Sequence, residues 1–273
     1  MRMHFDRIKH PVRWAMLLAI LLLVVYITTG YIRSLRLEST QIDLTLPARS
    51  QRGHVRIVQL SDLHRAVFGD DNQQLVDLVA DKRPQLIVAT GDMIDARTTS
   101  IDATIDLFRR LTAIAPVAYS LGNHEVTRPD LMELIDALEG IGVQVLQNSA
   151  ATFSLNGVTL KVGGVYHAEF LHELDDDGSI DILLCHFPDK LDVFAAYGVP
   201  LTFCGHTHGG QFRVPLLDIA LYAPGQGLFP QYTTGLYERG GSAMIVSRGL
   251  GNSSFPFRVH NPPEIIVAEI AYE

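Results

Sequence analysis

Five short apolar runs in this chain each end in side chains able to bind a metal ion. The first leads into Asp62-Leu63-His64, the second into Gly91-Asp92-Met93-Ile94-Asp95, and the third into Gly122-Asn123-His124-Glu125. Two later runs lead into Cys185-His186 and Gly205-His206-Thr207-His208. Singly these are weak signals, because Gly-Asp marks many ordinary turns and a lone histidine such as His186 is usually a hydrogen-bonded surface or core residue. Their joint occurrence, in order and each at the end of an apolar run, is hard to obtain without a shared site. Mixed carboxylate and imidazole ligands suit Mn, Fe or Zn, and the lack of a cysteine ligand motif argues against a structural zinc cage.

The elements that must carry these residues alternate. Residues 55–60, 86–89 and 117–120 read as buried strands. Residues 71–82, 101–111 and 129–139 between and after them have helical spacing. Such alternation argues for βαβ units and a mostly parallel sheet. The second half reads as short strands at 144–145, 152–155, 159–162, 180–184, 201–203, 243–246 and 265–270, with a helix at 189–197. Asn156-Gly157 is a strong hairpin signal. Residues 212–240, rich in Gly, Pro and Tyr, read as a long irregular excursion. The expected fold class is α/β, a four-layer αββα sandwich of two mixed sheets flanked by helices, with no strand order set by the sequence. In α/β sheets ligands gather beyond the carboxyl ends of the strands, so five strand ends would aim Asp, His and Asn at one place.

Trp14 to Ile32 is a run of 19 uncharged residues rich in Leu, Ile and Val. As a helix it is close to the roughly 30 Å hydrocarbon thickness of a bilayer, and Trp14, Tyr26 and Tyr31 lie towards its ends, where amphipathic rings prefer the headgroups. A basic start followed by an apolar run also describes a cleaved signal peptide. The length of the run and the absence of an A-x-A-like site at Thr28-Thr29-Gly30-Tyr31 favour a retained transmembrane anchor. Arg2, Arg7, Lys9 and Arg13 precede it and Arg33, Arg36, Arg49 and Arg52 follow, a tie that assigns no membrane face. The expected organisation is a basic tail (1–13), an anchor (14–32), a juxtamembrane linker (33–52) and a catalytic domain (53–273), in a single-pass inner-membrane protein.

The first 52 residues hold eight of the 22 basic residues and three of the 30 acidic ones, leaving 14 against 27 beyond them. So acidic a domain is poorly suited to a nucleic-acid backbone, and no nucleic-acid partner is expected. No protein partner is implied. The two cysteines, Cys185 and Cys204, suggest small buried residues at strand ends, with no disulfide framework.

The blocks D-x-H, G-D-x-x-D, G-N-H-E, a lone H and G-H-x-H, all present here between residues 62 and 208, resemble the signature of the calcineurin-like metallophosphoesterase superfamily. Gly205-His206-Thr207-His208-Gly209-Gly210-Gln211, Ser247-Arg248-Gly249-Leu250-Gly251 and Asn261-Pro262-Pro263-Glu264 are similar to its membrane-anchored YkuE- and YaeI-like branch, related to UDP-2,3-diacylglucosamine pyrophosphatases. The likeness covers about residues 53–273. It implies two divalent metal ions, Mn foremost and Fe or Zn as alternatives. One would be held by Asp62, His64, Asp92 and His208, and the other by Asp92, Asn123, His186 and His206. A carboxylate shared by cations about 3.5–4 Å apart suits a clamp on both the attacking and leaving oxygens of an in-line displacement. By the same likeness His124 protonates the leaving oxygen and Asp95 orients it; the plain alternative makes Asp95 a cap for the helix near Ile101.

Arg65 and Arg258, with Arg248, are candidate phosphate contacts, since a guanidinium fork suits that anion. His167, His172 and Asp175-Asp176-Asp177 could form a further metal site, although a charge run before a glycine is usually a solvated turn. Apolar residues of the excursion, including Phe212, Leu216, Leu217, Tyr222, Leu228, Phe229 and Tyr232, could line an acyl groove, enter the bilayer or form an ordinary flap. The resemblance implies hydrolysis of a phosphate ester or pyrophosphate bond. The anchor points to a membrane-associated, lipid-linked substrate such as a UDP-diacylglucosamine-type precursor of lipid A or a phospholipid-like ester. A general phosphodiesterase or phosphomonoesterase on soluble substrates and a catalytically silent metal-bound scaffold are the alternatives.

Overall fold

A computed structural model of the chain describes residues 11–48, 52–174, 180–215, 217, 219–252 and 255–273. Arg2, Arg7, Lys9, Arg49, the Asp175-Asp176-Asp177 run and Leu216 lie outside them. The first half contains α1 (Pro11–Arg33), β1 (Glu38–Leu46), β2 (Gly53–Leu60), α2 (Gln73–Asp81), β3 (Leu86–Thr90), α3 (Asp102–Thr112), β4 (Val117–Ser120), α4 (Asn123–Val126), α5 (Leu131–Gly140) and β5 (Gln144–Leu146). The second contains β6 (Ser149–Leu155), β7 (Val158–Val165), β8 (Ile182–Cys185), α6 (Leu191–Ala196) and β9 (Leu201–Cys204). Short strands β10 (Arg213–Val214), β11 (Ile219–Ala220), β12 (Tyr222–Ala223) and β13 (Gly227–Leu228) follow, then β14 (Gly235–Arg239), β15 (Ser242–Val246) and β16 (Glu264–Tyr272).

Two six-stranded mixed sheets result, ordered β1-β16-β2-β3-β4-β5 and β14-β15-β9-β8-β7-β6. Strands β2 to β5 run parallel in the first, as do β7, β8, β9 and β15 in the second. Val55, Ile57, Leu86 and Val88 meet Val162, Ile182, Leu184 and Phe203 between the sheets. On the outer faces Ile87 and Ala89 pack against Leu75, Val79, Phe108 and Leu134 of three helices, and Met244 and Val246 against Leu191 and Phe194 of α6. Four layers follow. Strands buried on both faces must be apolar at every position, which is why they read as unbroken runs. The hairpin expected at Asn156-Gly157 joins β6 to β7, with φ of 48° and 89° at those residues.

Two segments differ from expectation. Residues 33–52, expected as a linker, contain β1, which pairs in parallel with β16 at the edge of the first sheet. Ile42, Leu44 and Leu46 alternate with polar residues, so one face packs while the other is wet; that period of two is hidden by the segment's polar composition. Within the supposedly irregular excursion, β10 pairs with β11, β12 with β13, and β14 extends the second sheet.

Helix α1 is exposed along its length apart from buried Gly30 and half-buried Tyr26, and docks through its last turns. The Tyr26 hydroxyl donates to the Arg213 carbonyl, and the His260 ring lies 4.4 Å from that of Tyr26. The His260 amide donates to the Gly30 carbonyl at 3.1 Å, and the Asn261 amide to Ser34 Oγ at 2.9 Å. A Cβ on Gly30 would come within 2.5 Å of the His260 ring, so this close approach requires glycine.

Candidate dinuclear metal centre

Because β2, β3 and β4 run side by side, their carboxyl ends bring Asp62 and His64, Asp92, and Asn123 together, while β8 and β9 of the facing sheet bring His186, His206 and His208. Amides stitch the loops to one another: Asp62 N donates to Gly91 O and His64 N to Asp92 O, both at 3.0 Å. The approach is tight, since a Cβ on Gly122 would lie 2.3 Å from Asp92 Oδ1 and one on Gly205 1.9 Å from Ser61 Oγ. Asp62, His64, Asp92, His206 and His208 all have positive φ, between 47° and 70°. Each such residue costs on the order of 1–3 kcal/mol, and such strain clusters at functional sites.

Two groups of potential ligand atoms lie within 4.8 Å of one another, Asp62 with His64 and His208, and Asp92 with His186 and His206. Asp92 Oδ2 joins them, at 3.2 Å from His186 Nε2 and 3.9 Å from His64 Nε2. His64 Nε2 is 3.3 Å from His208 Nε2, and His206 Nδ1 is 3.2 Å from His186 Nε2. Facing ring nitrogens suit a cation between them, because both can then present lone pairs. The Asn123 Oδ1 acceptor is buried without a hydrogen-bond partner. These residues therefore fit a pair of divalent cations.

Backbone carbonyls stand behind two of the rings. His186 Nδ1 is 2.7 Å from the Thr90 carbonyl and His208 Nδ1 is 3.2 Å from the Gly251 carbonyl. A carbonyl only accepts, so His186 Nδ1 carries hydrogen and its Nε2 faces Asp92, whereas His208 Nδ1 lies between the Gly251 carbonyl and the Arg258 guanidinium at 3.4 Å. Asp62 accepts from Ser61 Oγ at 2.6 Å and from the His206 amide at 3.0 Å. Burial lowers His64 to about 4 and His206 to about 3, so both rings are neutral near pH 7. Burial also raises Asp62 to about 6, helped by the Asp92 charge. His186 runs the other way: burial opposes its charge, but Asp92 and Asp62 more than offset this and hold it at about 10.

His124 follows directly on Asn123. Its amide donates to Asp92 Oδ1 at 2.8 Å, and its ring stands edge-on to His64 with centroids 4.7 Å apart. The Ala96 amide donates to His124 Nδ1 at 3.2 Å, which leaves the proton of the neutral ring on Nε2. Asp95, expected as the partner of that ring, lies within 4.8 Å of His124 and His64, yet its hydrogen bonds go to Arg97. The same Arg97 contacts hold its carboxyl well below the usual range. Nor does Asp95 cap α3, whose N-terminal boundary is Ile101.

Arg65 is exposed, with Nε 3.5 Å from Asp95. Arg258 is buried and donates to the carbonyls of Arg248 and Gly251 and to Asn252 Oδ1, bracing the loop behind His208. Arg248 pairs with Glu264 at 2.5 Å and lies 3.7 Å from Glu38. His167 and His172 hydrogen-bond within their own turn. Cys185 and Cys204 are free and buried, and burial pushes Cys185 up to about 12, so both are neutral thiols.

Two residues of the quoted blocks have supporting roles that the motif reading does not assign. Glu125 is fully buried and accepts from the amides of Asp92, Ile94 and Gly122, tying the second and third ligand loops together. Its position three residues after the N-cap Gly122 lets it reach back to the Gly122 amide at 2.8 Å, one half of a capping box, since glycine has no side chain to supply the other. Asn261 Nδ2 donates to the His208 carbonyl at 2.6 Å, a contact with no local sequence signal.

Fold and site together define a metallophosphoesterase. The calcineurin-like phosphoesterase family matches residues 55–210, and the chain belongs to it. Its members hydrolyse phosphoric esters at a dinuclear centre of divalent metals. The uncharacterized metallophosphoesterase YkuE of Bacillus subtilis (strain 168) is 32% identical over 225 residues, covering 78% of this chain and 77% of YkuE. Phosphodiesterase YaeI of Escherichia coli (strain K12) is 29% identical over 226 residues, 79% of this chain and 82% of YaeI. UDP-2,3-diacylglucosamine pyrophosphatase LpxG of Chlamydia muridarum is 24% identical over 301 residues, 87% of this chain and 90% of LpxG.

Proposed function

We propose that this chain is a membrane-anchored hydrolase whose substrate is a lipid-linked phosphodiester or pyrophosphate. Its ligands are Asp62, His64, Asp92 and His208 for one cation and Asp92, Asn123, His186 and His206 for the other, with Mn as the working metal. The observation that carries the metal assignment is Asp92 Oδ2, set between His64 Nε2 and His186 Nε2. Cations held there supply Lewis-acid polarisation of the phosphoryl oxygens and, from water, a nucleophile at neutral pH. His124 serves as the general acid, giving an Nε2 proton of its imidazolium form to the departing oxygen and returning to the neutral ring, whose Nδ1 then accepts from the Ala96 amide. Asp95, pinned by Arg97, holds the loop that presents the Ala96 amide, so it orients His124 through the backbone. Arg65 remains available as a phosphate contact at the exposed edge.

Two features support a lipid-linked substrate. Helix α1 is long and apolar enough to cross a membrane, and tethering raises the effective concentration of the centre at the bilayer. The LpxG relative acts, by its name, on a diacylated nucleoside diphosphate sugar. Purified full-length chain in detergent, stripped of metal and given Mn, is expected to turn over a diacylated nucleoside diphosphate sugar faster than bis-p-nitrophenyl phosphate. The reverse preference would make it a general phosphodiesterase, as the YaeI name suggests for that relative. No turnover of either, with two metals bound, would leave the scaffold.

A further inference from the structure

The excursion contradicts the usual treatment of a soluble surface. Leu228 is 73% exposed, Phe229 69% and Leu217 67%, with Leu221, Phe255 and Phe257 also exposed. Between Gln211 and Glu238 only two residues are charged, Arg213 and Asp218. Arg213 is buried, and Asp218 lies outside the described residues. The apolar surface is continuous with α1 through a chain of edge-on rings. Tyr31 lies 6.5 Å from Phe257, Phe257 lies 5.7 Å from Phe212, Phe212 lies 5.7 Å from Phe255, and Phe255 lies 6.1 Å from Tyr222.

The docking of α1 fixes where this surface sits. Tyr26 is seven residues before the end of the helix at Arg33, about 10 Å back along its axis. Arg213 and His260 contact it there. If α1 crosses a bilayer, Tyr31 and Arg33 mark its headgroup end, and the loops that reach Tyr26, more than a turn deeper, run alongside the inner edge of that level. Nothing but lipid is available at that depth to cover the leucines and phenylalanines beside them.

From this geometry we infer that the described residues of 212–229, with 255–257, form an apolar collar around α1 that sits in the leaflet from which the helix emerges. Lipid is its occupant. The collar also reaches the metal centre: Gly225, in the turn between β12 and β13, would place a Cβ 3.3 Å from His206 Nε2. A phosphate at headgroup level thus lies beside the ligands while its acyl chains stay in the leaflet. The inference rests on the reading of α1 as a membrane anchor and names the surface by which the same site meets its substrate.

The test uses full-length chain in phosphatidylcholine vesicles. Trp14 is the single tryptophan of the chain, so a variant combining Trp14→Phe with Leu228→Trp carries its only indole in the collar. Lipid brominated high on the acyl chain is expected to quench that introduced indole as strongly as it quenches Trp14 in the parent. Quenching of Trp14 in the parent, together with resistance to alkaline extraction, reports the anchor separately. An anchored chain whose collar indole ignores bromolipid but is quenched by aqueous iodide overturns the collar alone. Loss of both signals overturns the anchor and the collar with it. In a second arm, Leu228→Asp with Phe229→Asp is expected to leave turnover of bis-p-nitrophenyl phosphate and resistance to alkaline extraction unchanged, while turnover of a vesicle-embedded ester falls. Equal loss on both substrates would count against the collar.

Discussion

At the strand ends between the two sheets, carboxylates and imidazoles are buried; around β10 to β13, leucines and phenylalanines stand exposed. Both regions depart from the ordinary distribution of side chains, in opposite directions. Burying an ionisable group is costly unless it is paired or coordinates a metal, and leaving a leucine or phenylalanine in water forgoes about 1.5–3 kcal/mol of transfer free energy. Each region is therefore completed by something outside the chain, cations in one case and an apolar phase in the other. Their construction differs accordingly. The centre is held by parallel strands, amide stitches and closely approached glycines, whereas the excursion is held by two-residue strands and turns. A closely packed cluster tolerates little change, and an exposed apolar surface tolerates much.

Substitutions can break or sharpen that contrast. Asp92→Ala removes the oxygen common to both ligand groups, so turnover should fall below detection and metal analysis should find neither position filled; two bound metals with full activity would sink the dinuclear assignment. His124→Ala should lower kcat by about 10²–10⁴-fold with both metals retained, and the loss should shrink for a p-nitrophenolate leaving group that needs no proton. A fragment starting at Gly53 lacks β1, and urea unfolding should show it weaker by on the order of 3 kcal/mol than one starting at Arg36, reflecting the apolar area that Ile42, Leu44 and Leu46 cover. Asn261→Ala removes the support behind His208, and Mn titration should show affinity at that position about 10–100-fold lower. Leu228→Ser, in the excursion, should change stability by less than about 0.5 kcal/mol and leave turnover of a soluble diester unaltered.

The strands that carry the ligands are legible because burial on both faces forces unbroken apolar sequence, as in Ile182 to Cys185. Strand β1 escapes for the opposite reason: an edge strand with one wet face alternates, and its polar half resembles a linker. His124 stands beside Asn123 as the motif places it, but its ring does not meet the carboxylate expected for it. The expected Asp95 carboxylate is occupied by Arg97, and the Ala96 amide takes its place. Arg258 illustrates a further limit, since a guanidinium suited to phosphate is equally suited to backbone carbonyls, and burial decides between them.

The sequence by itself determined the types of the candidate ligands, their order and their placement at strand ends, because coordination chemistry demands particular atoms and strand ends demand a change from apolar to polar. Only the tertiary structure decided which loops face each other across the two sheets, which ring nitrogen each histidine presents, and how the end of α1 meets the loop behind His208. Those outcomes depend on groups far apart in the chain, Ser34 with Asn261 and Thr90 with His186, whose partnership no local pattern records.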